Sequence, residues 1–251
     1  MNYKQMILLL VFFAAAISST KAQDFVTRVK ITFEKKVKFN RGFEGNDIPD
    51  ELREQQPKYD ISHYNFVYAG GQSLYQFEPE NSNSKNETFK MVHDENSLFI
   101  DYNTKQTIAK KSFFQEDYIV KDSIKPIKWK VMQETRNIAG YECRKAIGRI
   151  YDTVYIVAFY CEQFVMKAGP EGLQGLPGMI LGLAIPRWNT TWFATKVELA
   201  NINEAAIVPP NKGKKLSDKE LVDLFMKNYK EYGIKDITPE KVQGYVKGYT
   251  L

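Results

Sequence analysis

The chain has 251 residues, 26% of them charged, with a net charge of +5 and two cysteines. The mild basic excess has no concentrated stripe beyond Lys212, Lys214 and Lys215, so nucleic acid is excluded as an expected partner. Aromatic residues make up 14% of the chain, with 15 Tyr and 16 Phe, which favours half-buried pleated surface and points to sheet.

The N-terminus reads as a secretory leader. Lys4 supplies a positive charge, Met6 to Ala16 is apolar, and Ser18-Ser19-Thr20-Lys21-Ala22 offers small residues at Thr20 and Ala22. The apolar core is too short to span a bilayer, which takes about 20 residues. The expectation is a signal peptide over 1–22, cleaved after Ala22, with Gln23 as the new terminus, free to cyclise. Cleavage takes Lys4 and Lys21 away and lowers the net charge from +5 to +3. No Cys stands at the cleavage point, so release is expected rather than lipid anchoring. No later stretch reaches transmembrane length, and the protein is not expected to span a membrane.

The mature part reads as a single domain: a β domain over 23–207, then a linker and helical segment over 208–251. Phe25, Val29, Ile31 and Phe33 alternate with Arg28, Lys30, Thr32 and Glu34, the pattern of a strand with one wet face. Asn40 to Ser62 reads as a long loop, with one helical turn near Asp50–Gln55. Two strands flank Gly70-Gly71, carrying Tyr64, Phe66 and Tyr68 on one side and Ser73, Tyr75 and Phe77 on the other, which predicts a hairpin. Glu80 to Glu87 is a loop. Further strands are predicted over 97–102, 106–114, 118–121 and 127–134, with a turn at Asn137–Gly140. Strands over 141–150 and 154–161 follow.

Past Cys161, the apolar run Met179–Ile185 predicts a buried strand. Val208-Pro209-Pro210-Asn211-Lys212-Gly213 is a breaker-rich linker. Ser217 and Glu220 form a capping box, and Leu221, Leu224, Phe225 and Tyr229 recur at helical spacing, so a helix should run to near Gly233. Thr238-Pro239-Glu240 predicts one more short helix. The apolar stripe is expected to pack on the sheet. These elements together predict a mainly β fold: a curved antiparallel sheet with C-terminal helices packed on one side.

The two cysteines fall in the predicted hairpin over 141–161. If it is centred on Asp152, Cys143 and Cys161 are equidistant from that centre and face each other across the ladder. A disulfide there needs only a modest adjustment of opposed Cβ atoms. The alternative is two unpaired thiols, which a one-residue slip of the register would leave. A metal site is not expected, because His63 and His93 are not spaced like ligands. A Cys-x-x-Cys redox motif is absent from the sequence.

The segment 169–179 is the least ordinary stretch. Gly169, Gly172, Gly175 and Gly178 recur at every third position, too few for collagen. Gly175-Leu176-Pro177-Gly178 reads as a type II turn, with Pro177 at its second position and Gly178 at its third. A phosphate loop is excluded, since no Gly-Lys-Ser/Thr follows.

Here the sequence resembles the GLPGLI family, exported proteins found mainly in Bacteroidota and named for that motif. The motif stands as Gly175-Leu176-Pro177-Gly178-Met179-Ile180-Leu181, with Met179 in place of the second Leu. Ser73-Leu74-Tyr75-Gln76-Phe77, Trp129, Gly140-Tyr141-Glu142-Cys143-Arg144-Lys145-Ala146 and Gly169-Pro170 match the family's other segments in order and spacing. Ala158-Phe159-Tyr160-Cys161 departs from the family's Trp-Tyr-Thr, so the second Cys is not expected to be a family trait. The resemblance implies a periplasmic or outer-membrane-associated accessory protein with no established enzyme activity and no cofactor. Its β pattern is also similar to lipoprotein-carrier half-barrels, in which a curved sheet cradles an acyl chain.

Two functions follow as expectations. In the first, the protein is a scaffold that docks an outer-membrane or periplasmic protein through the Gly175–Leu181 turn. In the second, the sheet encloses a lipid or another apolar ligand. A carrier needs a deep apolar cavity, whereas a scaffold has a filled core. Catalysis is not expected. No Gly-x-Ser-x-Gly or His-Glu-x-x-His occurs, and Asp47, Asp50, Glu51 and Glu54 read as a solvated loop. Asp122-Ser123-Ile124 and Asp152-Thr153-Val154 resemble the O-glycosylation sites of this bacterial group, with Ser123 and Thr153 as acceptors.

Overall fold

A computed structural model describes residues 26–38, 58–78, 96–113, 116–150, 154–199, 202–231, 233 and 242. Twelve strands form one sheet: β1 (Val29–Lys38), β2 (Tyr59–Ala69), β3 (Gln72–Phe77), β4 (Ser97–Asp101), β5 (Gln106–Phe113), β6 (Glu116–Ser123), β7 (Lys130–Ile138), β8 (Tyr141–Ile150), β9 (Val154–Cys161), β10 (Met179–Ile185), β11 (Thr190–Glu198) and β12 (Lys214–Leu216). Their order across the sheet is β12-β6-β5-β4-β3-β2-β1-β11-β10-β9-β8-β7.

That order is two antiparallel meanders joined where β1 pairs β11. The chain walks outward from β1 to β6, crosses to β7, then walks back to β11. The crossing is short: only residues 124–129 separate β6 from β7. Laid flat, ten strand spacings would part the two by about 48 Å. Six connecting residues reach only about 25 Å even when extended. The sheet is therefore curved, and its two flanks face each other under this strap. Register shifts at Thr32/Phe33, Ile180/Gly182 and Val131/Thr135 supply local bends of the kind that bulges introduce.

Alternation along β1 proves to be the inward–outward pattern expected of it. Val29, Ile31 and Phe33 are fully buried on the concave face. Phe33 meets Phe66 edge-on at 6.4 Å, and Tyr64 stacks on Tyr75 at 4.8 Å. Such pairs add about 1 kcal/mol beyond their burial. The Gly70-Gly71 hairpin is as expected, with Ala69 opposite Gln72. Two boundaries move: β2 begins at Tyr59, inside the stretch expected to be loop, and the strand expected over 127–134 runs from Lys130 to Ile138. The strands β11 and β12 were not anticipated.

The concavity is filled by the chain itself. Between β9 and β10, residues 162–178 cross the concave face as an irregular plug. Phe164, Met166, Ala168, Leu173 and Leu176 are buried in one cluster with Phe33, Tyr64, Ile156 and Leu183. Hydrogen bonds tie the plug to itself and to β10: Leu173 N–H donates to the Pro170 carbonyl at 3.1 Å, and Ile180 N–H to the Ala168 carbonyl at 2.8 Å.

The α-helix α1 (Asp218–Glu231) starts at the expected capping box. Ser217 N–H donates to Glu220 Oε2 at 2.7 Å and Glu220 N–H to Ser217 Oγ at 3.3 Å. Leu221 and Phe225 pack on Val120 of β6, so the stripe does meet the sheet. The linker before α1 adds β12, parallel to β6, at the sheet edge. The leader over 1–22, the turn at Asp50–Gln55 and the helix at Thr238–Glu240 lie outside the described residues.

Candidate functional site

Most of the Gly175–Leu181 motif is internal. Leu176, Gly178, Met179, Ile180 and Leu181 are buried, while Gly175 and Pro177 are exposed. The motif is thus the corner at which the plug turns into β10. The turn differs from type II. Gly178 N–H donates to the Leu176 carbonyl at 2.8 Å, closing a three-residue turn around Pro177. The fixed φ of proline and the short reach of this bond favour the tighter form.

Trp129, on the strap, pins the plug from outside. Its indole N–H donates to the Gln174 carbonyl at 3.0 Å. Trp129→Phe should keep the packing and lose that bond, costing about 1 kcal/mol in urea unfolding.

Glu171 is the charged centre of the plug. It lies in the 3-10 turn Pro170–Gly172 with φ of 55°, a left-handed conformation that costs a non-glycine residue about 1 kcal/mol or more. The turn carries its side chain into the concave interior, where it is only 13% exposed. Trp192 Nε1 donates to Glu171 Oε1 at 3.1 Å, and Lys35 Nζ lies 3.9 Å from the same oxygen. The Lys35 ammonium also sits over the rings of Tyr64 and Trp192, at 5.6 and 5.4 Å. Tyr75, stacked on Tyr64, has a buried hydroxyl that makes no hydrogen bond. Burial first, and then the nearby Glu171 charge, push the Tyr75 phenol well above its ordinary range.

This cluster escaped the sequence reading, although one signal was present. Lys35 falls on the inward parity of β1, after Val29, Ile31 and Phe33, where a charge is out of place.

Glu171, Gly172 and Leu173 also form the floor of a cleft of about 300 Å³ beneath the strap. Leu98 and Thr107 wall it from one flank, Arg149 and Ile150 from the other, and residues 122–127 roof it. Ser123, an expected glycosylation site, is exposed on its rim. Thr153 lies outside the described residues, as do His93, Asp47, Asp50, Glu51 and Glu54. His63 lies 3.9 Å from Glu34 on the convex side, and no group of three or more metal-type ligands occurs among the described residues.

The cysteines sit where the hairpin register puts them. Arg144 pairs with Tyr160, which sets Cys143 against Cys161 one step on. Both are buried free thiols in this structure. The contact between them dominates the titration of each. It holds Cys143 well above the ordinary thiol range. It lowers Cys161 to about 7, with backbone N–H groups of Gln163 and Phe164 assisting.

No helix among the described residues is long and apolar enough to cross a membrane. No protein-family model matches the chain, and no curated protein matches it. Solved structures do share its fold. Two structures of PNGF-II, in different space groups, superpose with a TM-score of 0.52 at 17% and 18% identity, over 80% of this chain and 33% of theirs. An uncharacterized conserved protein from Thermus thermophilus aligns over 82% of this chain and 99% of its own, at 9% identity and a TM-score of 0.41. The chain spans about a third of the length of the PNGF-II chains, and its likeness to them is one of fold.

Proposed function

We propose that this is an exported, non-enzymatic accessory protein of the cell envelope, a member of the GLPGLI family that works as a rigid scaffold in the periplasm, at the outer membrane's transport machinery. The supporting observation is the plug. In a lipid-carrying half-barrel the concave face is kept for an acyl chain. Here Phe164, Met166, Leu173 and Leu176 occupy that face and close the core. A filled half-barrel suits a protein that presents a fixed surface, and it disfavours the carrier reading. The segments that carry the family resemblance also support it. Tyr75, Trp129, Gly169-Pro170 and the motif itself all lie in or against the plug, so they read as the parts that build this closure.

Native mass spectrometry of protein recovered from the periplasmic fraction tests the proposal. The expected species begins at Gln23, with or without the loss of ammonia on cyclisation, and carries no lipid. Crosslinking in intact envelopes should join it to an outer-membrane protein. A stoichiometric lipid adduct would restore the carrier reading. An intact Met1 terminus in the cytoplasm would remove export altogether.

A further inference from the structure

We propose that the cleft beneath the strap is a binding site for a small amphipathic amine, with the ammonium directed at Glu171 and the apolar body lying on Leu98, Ile127, Ile150 and Leu173. The cleft forms from the fold whether or not the chain is exported, so the proposal does not rest on the envelope reading.

The position and size of the cleft are those of a ligand site. It opens at the gap of an unclosed barrel, a usual place for a small-molecule pocket, and about 300 Å³ is at the small end of the usual range. Four separate parts of the fold converge on it: the β4–β5 flank, the end of β8, the plug and the strap.

Charge decides what the cleft takes. Of the two cations on its lining, Lys125 is held by Asp122 at 2.6 Å, and Arg149 donates to the Tyr155 hydroxyl at 3.0 Å while lying over that ring. Lys125 is thus neutralised by a carboxylate, while Arg149 keeps its charge but is turned onto the Tyr155 ring. Glu171 is the group left short of charge. Its one full counter-charge among the described residues, Lys35, is 3.9 Å away, too far for a hydrogen bond, and is drawn toward two aromatic rings. A carboxylate in a largely desolvated position calls for a closer cation. Next to it, the Tyr75 hydroxyl is buried and makes no hydrogen bond of good geometry, although it lies close enough to Glu171 and Trp192 to interact with both. The strained backbone at Glu171 agrees with this. Strain of that kind persists where the surroundings hold it, and it clusters at ligand sites.

The probes are straight-chain alkylamines from butylamine to octylamine, with the carboxylates of equal length as controls. The readout is the indole N–H resonances of isotope-labelled protein, since Trp192 donates directly to Glu171. Saturable amine binding that shifts the Trp192 resonance and tightens with chain length, without carboxylate binding, is the expected result. Glu171→Gln should weaken it about tenfold or more, the scale of one charge-assisted hydrogen bond. Ile124→Arg, on the strap, leaves Glu171 in place and fills the cleft with bulk and positive charge. It should abolish binding even if Glu171→Gln fails to fold. Absence of saturable binding, equal binding of amines and carboxylates, or binding undiminished by Ile124→Arg would each overturn the proposal.

Discussion

Gly178→Ala will destabilise the protein by about 3 kcal/mol, the largest effect expected of any single added methyl in the motif. A Cβ on Gly178 would stand 2.2 Å from the Cys161 carbonyl oxygen and 2.7 Å from its carbon. Both are backbone atoms at the end of β9, where Met179 pairs with Cys161, so neither can move without breaking the ladder. Gly175→Ala, three residues earlier, provides the contrast. There the new methyl would meet nothing closer than 3.7 Å, and only the positive φ of 100° is penalised, by about 1 kcal/mol. Urea unfolding of the two variants measures the difference. If Gly178→Ala is no worse than Gly175→Ala, the close approach of plug to β9 is wrong, and so is the reading of the motif as a packed corner.

These contacts give the Gly175–Leu181 segment a structural role. Leu176 enters the core, Pro177 turns the chain, Gly178 lets it pass the β9 backbone, and Met179, Ile180 and Leu181 continue as a buried strand. A partner meeting this turn from outside would see only Gly175 and Pro177.

Much of the sheet was legible because its strands announce themselves by local pattern. The parity of β1, the Gly70-Gly71 hairpin and the register around Asp152 depend on neighbours in sequence, and these hold in the structure. What could not be read depends on distant parts of the chain. Strand β11 carries Trp192 and Ala194 on one face and Phe193 on the other, so its alternation is blurred. The reason is tertiary: the convex face at Phe193 is itself covered, with the Arg136 guanidinium 4.8 Å from the ring. The plug has no period at all, because an irregular segment is buried by what surrounds it and not by its own repeat. The cleft is harder still to foresee, since Leu98, Arg149 and Glu171 become neighbours only once the strap has forced the two meanders together.

Protein folded in an oxidising compartment will carry a Cys143–Cys161 disulfide, and reducing it will cost about 3 kcal/mol. The cysteines face each other across the β8–β9 ladder, and their sulfurs already interact. The bridge closes a loop of about twenty residues, for which chain entropy sets that magnitude. Formation needs an external disulfide of the dithiol-oxidase class. The Cys161 thiolate attacks one of its sulfurs and expels a thiolate, giving a mixed disulfide. Cys143 then loses its proton and attacks the Cys161 sulfur, forming the Cys143–Cys161 bond and expelling the oxidant sulfur that Cys161 had captured, so two electrons pass to the oxidant, which leaves as a dithiol. Cys161 suits the first step, being lowered to about 7. Bonding it also removes the thiol contact that raises Cys143. Both residues are buried in the finished protein, so the reaction belongs to a late stage of folding, when the β8–β9 ladder already holds the two thiols in contact and the core over them is still open. Alkylation under denaturing conditions with and without reductant, followed by mass measurement, gives the redox state. Two alkylated thiols in unreduced protein from the periplasm would refute the bridge. The reduced form has its own signature. Cys161 ionises more readily folded, near 7, than at its ordinary 9.0, so its contribution is lost as pH falls through 7. Reduced protein should therefore gain stability from pH 7 to 9. The oxidised protein has no thiol to ionise and should not.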